Sequence, residues 1–291
     1  MKHLVLIHGR SQEMKDAATL KKSWVDALRQ GFSNAGVSTD LDESRIHFPY
    51  YGDSLINLID KVVNPAPVVT KGLKGQIPEQ MFKAAVFTEV IKNAVSEAEI
   101  AKERTSGEAE AAQVTEKGPL NWRWILAGLR VIDSLKGGSW AVETFTNDVY
   151  AYLTDDDVRN AIDKGVGAAF TEQPTVVVAH SLGTIVAYAI LKSDGAQQWN
   201  IPTFITLGSP LAINAVSERI RPLIKPDCVG DWYNGRDPHD TVALFPLRPT
   251  RFPVQLTGAK DNLENTSPNH HGIESYLADR DVARWIYNAI R

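Results

Sequence analysis

The chain has 291 residues, 43% of them hydrophobic and 23% charged, with a formal net charge of -4. A chain of that length builds a core without disulfides or metals, and its composition excludes a disordered protein, a basic nucleic-acid-binding surface and a transmembrane segment. The single cysteine, Cys228, cannot pair internally, no paired Cys and His spacing marks a structural zinc site, and the apolar run at 4–7 is too short for a signal peptide, so a cytoplasmic setting is expected.

Residues 4–7, Leu-Val-Leu-Ile, followed by His8-Gly9, read as a short buried strand ending in a turn. Across 20–32, Trp24, Leu28 and Phe32 recur at helical spacing and predict an amphipathic helix. Residues 45–48 read as the next strand, running into a loop at 49–52. Later strands are expected at 175–179, 202–207, 228–233 and 253–257, with helices at 148–162, after Leu182 and over 273–290. Strand and helix alternate, which predicts an α/β protein with a mostly parallel sheet and helices on both faces.

The stretch 55–140 breaks that alternation and is far too long for an ordinary connection. It is read as a helical insertion into a core formed by 1–54 and 141–291. Within it, 65–75 is rich in Pro and Gly, 78–102 is helical in pattern, and 107–118 is polar with little apolar surface to order it. Over 122–132, Trp122, Ile125, Leu126, Leu129 and Ile132 share one helical face. That face has two readings: a lid that covers a substrate site, or packing of the insertion onto the core. Contact with a membrane surface, if the chain makes any, is assigned to the same insertion.

Residues 175–188 carry the most information. An apolar β-branched run ends in Ala179-His180-Ser181-Leu182-Gly183 and continues as helix-compatible sequence. A serine between small residues at this junction reads as a nucleophile elbow, a strained strand-to-helix turn where bulky neighbours would clash. The competing reading is an ordinary buried strand with Ser181 as the N-cap of the next helix. A serine hydroxyl needs a histidine to take its proton, and that histidine needs a carboxylate to hold its tautomer. Both follow in the order acid, then histidine. The loop at 231–243 holds Asp237 and Asp240, and the loop at 269–272 holds His270 and His271.

These pieces together resemble the α/β-hydrolase superfamily, of the lipase and esterase type. The resemblance rests on Val5-Leu6-Ile7-His8-Gly9, the Ala-His-Ser-Leu-Gly elbow, Leu207-Gly208-Ser209-Pro210-Leu211, the Asp-rich loop and the terminal His-Gly-Ile. It spans the sheet and omits the insertion. Two departures stand out: the chain opens at the His-Gly strand, without the family's first antiparallel strands, and the elbow's first glycine is Ala179.

The resemblance implies the α/β-hydrolase fold with a lid or cap, Ser181 as nucleophile, and an oxyanion hole built from the backbone N–H groups of Arg10 and Leu182. It favours Asp240 as the acid, because Asp-Thr-Val matches an acid shortly followed by valine, with Asp237 as the alternative. It favours His271 as the base, directly before Gly-Ile, with His270 as the alternative. The implied substrate is a small-molecule acyl ester, with no cofactor and no nucleic-acid partner. Thioester or amide cleavage, a lyase, and an inactive scaffold on the same fold are the competing functions. A metal held by His239, Asp237, Asp240 and the His270-His271 pair ranks below all of these, since no dense ligand spacing such as His-Glu-x-x-His is present, and none is expected.

Overall fold

A computed structural model of the chain describes residues 1–9, 16–38, 40–52, 76–106, 123–136 and 139–291. Six strands form one sheet: β1 (His3–Ile7), β2 (Ile46–His47), β3 (Thr175–His180), β4 (Ile201–Leu207), β5 (Val229–Gly235) and β6 (Gly258–Lys260). Their spatial order is β2-β1-β3-β4-β5-β6 and every pairing is parallel. The chain therefore leaves β1 toward one edge and returns through β3 toward the other. This reversal makes a switch point between the carboxyl ends of β1 and β3, where parallel sheets open a crevice.

Alternation along the strands divides the core into two layers. Leu4, Leu6, Val176, Val178 and Ile205 face one side, covered by α1 (Ala17–Asn34), α9 (Ile273–Ala278) and α10 (Arg280–Ile290). Val5, Ile7, Val177, Ala179 and Phe204 face the other. That side is covered by α2 (Gln76–Ala94), α4 (Arg123–Lys136), α5 (Ser139–Thr154), α6 (Asp156–Gly167) and α7 (Leu182–Leu191). Two shorter helices, α3 (Glu97–Ser106) and α8 (Asn214–Ser217), are the remaining α-helices among the described residues. Both faces of β3 are buried, which accounts for its unbroken apolar run.

Several boundaries differ from the sequence expectation, each for a local reason. The helix expected at 148–162 is two, because Asp155 stops α5 and caps α6 by accepting from the Val158 N–H. The pattern at 78–102 also splits. Ser96 and Glu99 form a reciprocal capping box, with the Ser96 N–H donating to Glu99 Oε2 at 2.8 Å and the Glu99 N–H to Ser96 Oγ at 3.3 Å. Asp279 divides the last helix by accepting from the N–H groups of Asp281 and Val282.

The strand expected at 253–257 instead lies at 258–260. Burial alternates through this stretch, with Phe252 and Val254 in the core and Pro253 and Gln255 exposed, but Pro253 has no N–H to offer a ladder. Pairing begins only where the Thr257 N–H meets the Trp232 carbonyl at 2.9 Å.

Within the insertion, Val86, Val90, Ile91, Ile125 and Ile132 are buried in the same apolar cluster as Val5 and Val177 of the sheet. Leu126 is half-buried. Trp122, the Pro- and Gly-rich stretch at 65–75 and the polar stretch at 107–118 lie outside the described residues. Among the described residues no helix is long and apolar enough to cross a membrane.

Candidate active site

Ser181 sits immediately after β3 with φ 55° and ψ −129°, a left-handed backbone that a side chain rarely adopts. The turn is held from both sides. The Ser181 N–H donates to the Leu207 carbonyl at 3.2 Å, and the Ser181 carbonyl accepts from the Thr184 N–H at 2.9 Å and the Thr184 hydroxyl at 2.7 Å. Close approach does the rest. A Cβ on Gly183 would lie 2.5 Å from the His8 carbonyl oxygen, and one on Gly9 would lie 2.5 Å from the Ser181 Cβ. Only glycine lets the end of β1 run this near the elbow, whereas Ala179, one methyl larger, fits at the preceding position.

The Ser181 side chain does not cap α7. Its Oγ instead lies 2.8 Å from His271 Nε2, and His271 Nδ1 lies 2.7 Å from Asp240 Oδ2. Since a carboxylate only accepts, Nδ1 carries the proton in this network, and Nε2 accepts from the serine hydroxyl. The three side chains come from the carboxyl ends of β3, β5 and β6, which a parallel sheet brings to one edge.

Asp240 is buried, and all its bonds are made by the protein. Oδ1 accepts the N–H groups of Val242 at 2.8 Å and Ala243 at 3.1 Å, while Oδ2 accepts His271 Nδ1–H and the Tyr276 hydroxyl at 2.7 Å. Burial by itself pushes this carboxyl up, but the adjacent His271 and the hydrogen bonds from His271, Tyr276 and Ala243 outweigh it. The net result holds the group below its ordinary value. It therefore stays an anion, as a partner for an imidazolium must.

Asp237 has different partners. Its Oδ1 accepts the His239 N–H at 2.6 Å and approaches His239 Nδ1 at 3.1 Å, and its Oδ2 accepts the Asn265 N–H at 2.6 Å. His270, with φ 55°, donates Nδ1–H to the Asn265 carbonyl at 2.9 Å. The geometry thus separates the two pairs that the sequence left open: Asp240 and His271 converge on Ser181, and Asp237 and His270 face each other beside them.

His180 explains how His271 is held. Its Nε2–H donates to the His271 carbonyl at 2.9 Å, and burial, followed by the neighbouring His271, keeps its imidazole well below the usual range and neutral. Tyr276 and Asn265 also belong to the site, although nothing in the sequence singles them out. The tyrosine falls on the buried face of a short helix, where phenols are common packing residues.

Leu182 is the first residue of α7, so its N–H is one of the unpaired donors at a helix start. Arg10 lies outside the described residues, but Gly9 before it abuts Ser181. Cys228 is half-buried, its Sγ 3.5 Å from the Leu191 carbonyl, away from the elbow. No family model matches the chain, and no curated protein matches it.

Proposed function

We propose that the chain is a serine hydrolase of the α/β-hydrolase fold that cleaves carboxylic esters of small acyl substrates in the cytoplasm. One observation carries the reading: a hydrogen-bonded line runs from Asp240 through His271 to Ser181, and the serine stands on a left-handed elbow at the sheet's switch point.

In this reading His271 Nε2 takes the Ser181 proton as Oγ attacks the ester carbonyl, and Asp240 stabilises the imidazolium that forms. The oxyanion is held by the Leu182 N–H and a second N–H from the loop after Gly9, assigned to Arg10. His271 then returns its proton to the leaving alcohol. Water then gives a proton to the same nitrogen as its oxygen attacks the acyl carbon; the bond to Ser181 Oγ breaks, His271 returns the proton to Oγ, and the acid leaves. A lone cysteine supports the reducing compartment.

A fluorophosphonate probe tests the proposal directly. Covalent labelling of the intact chain, lost in Ser181→Ala, together with turnover of acyl esters graded by chain length, is the expected result. Absence of labelling across pH 6–9 overturns it.

A further inference from the structure

Beside the elbow lies a second cluster that ester hydrolysis does not use. One ligand atom each from Asp237, His239 and His270 lies within 4.8 Å of the other two. Asp237 and His239 come from the loop after β5, and His270 comes from the loop before α9. Asp237 is buried and fixed by backbone N–H donors from His239 and Asn265, whereas the His239 ring is largely exposed, with its Nδ1 directed at Asp237 Oδ1. The two imidazoles face each other with centroids 5.3 Å apart.

Spacing and chemistry agree. His239 Nδ1 is 3.1 Å from Asp237 Oδ1, and His270 Nδ1 is 3.5 Å from Asp237 Oδ2. Ligand atoms bound to a tetrahedral zinc at about 2.0–2.1 Å are separated from one another by about 3.3 Å; the His239–Asp237 pair already has that spacing, and His270 Nδ1, which meets the other carboxylate oxygen, ligates by giving up its proton and its bond to the Asn265 carbonyl. Two imidazoles and one carboxylate suit zinc or a neighbouring transition metal and disfavour magnesium or calcium, which prefer oxygen.

We propose that Asp237, His239 and His270 form a binding site for a zinc-like divalent cation, which ties the loop carrying Asp240 to the loop carrying His271. The link is short. The Asp237 N–H donates to the Tyr276 hydroxyl at 3.1 Å, Tyr276 donates to Asp240, and His270 directly precedes His271. An ion here joins the two loops that supply the acid and the base. Ligation requires a ring nitrogen without its proton from each histidine. The site stands whether or not the chain hydrolyses esters, because metal binding is read without substrate.

The test is calorimetric titration of ZnCl2 into tag-free, EDTA-treated full-length chain, with MgCl2 in parallel, followed by metal analysis after dialysis. The expected result is one retained zinc per chain, no magnesium, and a melting temperature raised by about 4 °C at a hundredfold excess over Kd. His239→Ala, a change at an exposed ring, should weaken zinc binding at least tenfold, and the His239→Ala/His270→Ala double variant should retain none. Both variants must keep the apo melting temperature within a few degrees for the comparison to count, and circular dichroism checks this. No retained zinc in the wild-type chain, or undiminished binding in the double variant, overturns the proposal. The second result would point instead to the His3 and His47 pair, whose nitrogens lie 2.8 Å apart at the other end of the sheet.

Discussion

Tyr276 donates its hydroxyl hydrogen to Asp240 Oδ2, the same oxygen that receives His271 Nδ1–H. The phenol also accepts the Asp237 N–H, so one side chain joins both carboxylates of the loop after β5. Burial, together with the neighbouring Asp240 charge, pushes its pKa far above the ordinary phenol value, so it stays a donor at any working pH.

Tyr276→Phe is expected to lower kcat by about tenfold with KM unchanged, because a hydrogen bond to a charged group contributes roughly 1.5–3 kcal/mol and the ring is buried in the protein. The variant should also lose about 1–3 kcal/mol of stability through the Asp237 N–H left without its acceptor. Steady-state kinetics and urea unfolding read the two effects. Wild-type kcat in the phenylalanine variant would remove Tyr276 from the positioning of Asp240.

Asp240→Asn should cost on the order of 10³–10⁴ in kcat, because the amide no longer selects the imidazole tautomer that accepts from Ser181. Asp237→Asn should cost far less, since its partners are His239 and backbone N–H groups rather than His271. Equal losses in the two variants would mean that the acid works through the whole loop rather than through the 2.7 Å contact with His271.

The parallel sheet and its two covered faces were legible from alternation alone, since β-branched runs and helical stripes report burial directly. Chain order offered Ser181, then Asp237 or Asp240, then His270 or His271; the choice of Asp240 and His271 rested on the family resemblance, and their elements bring them to one edge with Ser181. Boundaries were less legible. Asp155, Ser96 and Asp279 divide helices whose apolar pattern continues across the break, and periodicity does not register a cap. Tyr276 and Asn265 escaped for another reason: their roles depend on bonds to residues distant in sequence, and no spacing encodes those. Asp237, His239 and His270 stood among the candidate metal ligands but ranked low, because the sequence shows no dense ligand spacing and the three meet only when two separate loops come together.

The insertion makes a prediction about stability. Ile125 and Ile132 are buried in the cluster that also holds Val5 and Val177, so replacing either by alanine should destabilise the chain by roughly 2–5 kcal/mol. Leu126, half-buried on the same helix, should cost less. An altered preference for acyl chain length at unchanged stability in Ile125→Ala would show the helix acting as a lid instead of as core.

The last prediction concerns acid. His8 is buried between β1 and Tyr51, with the two rings stacked at 4.0 Å. Its Nδ1–H donates to the Gly9 carbonyl at 2.6 Å, and its Nε2 accepts the Tyr51 N–H at 3.2 Å. A second proton would sit on Nε2 and confront that N–H. Burial, only partly offset by the bond to Gly9, accordingly pulls the pKa of His8 from 6.5 down to about 4. Between those values the unfolded chain holds more protons than the folded one, so stability is complete above pH 6.5 and declines as pH falls toward 4. The gap between 6.5 and about 4 corresponds to roughly 3 kcal/mol. His180, also held neutral by burial, adds to the loss with the same sign. Urea midpoints measured from pH 7.5 to 4.5 should fall in the wild-type chain and fall less steeply in His8→Asn. An identical slope in the two proteins would show that the acid sensitivity arises elsewhere. Because Gly9 abuts Ser181, charging His8 should also disturb the elbow, and loss of probe labelling at low pH should follow the same curve in the wild-type chain.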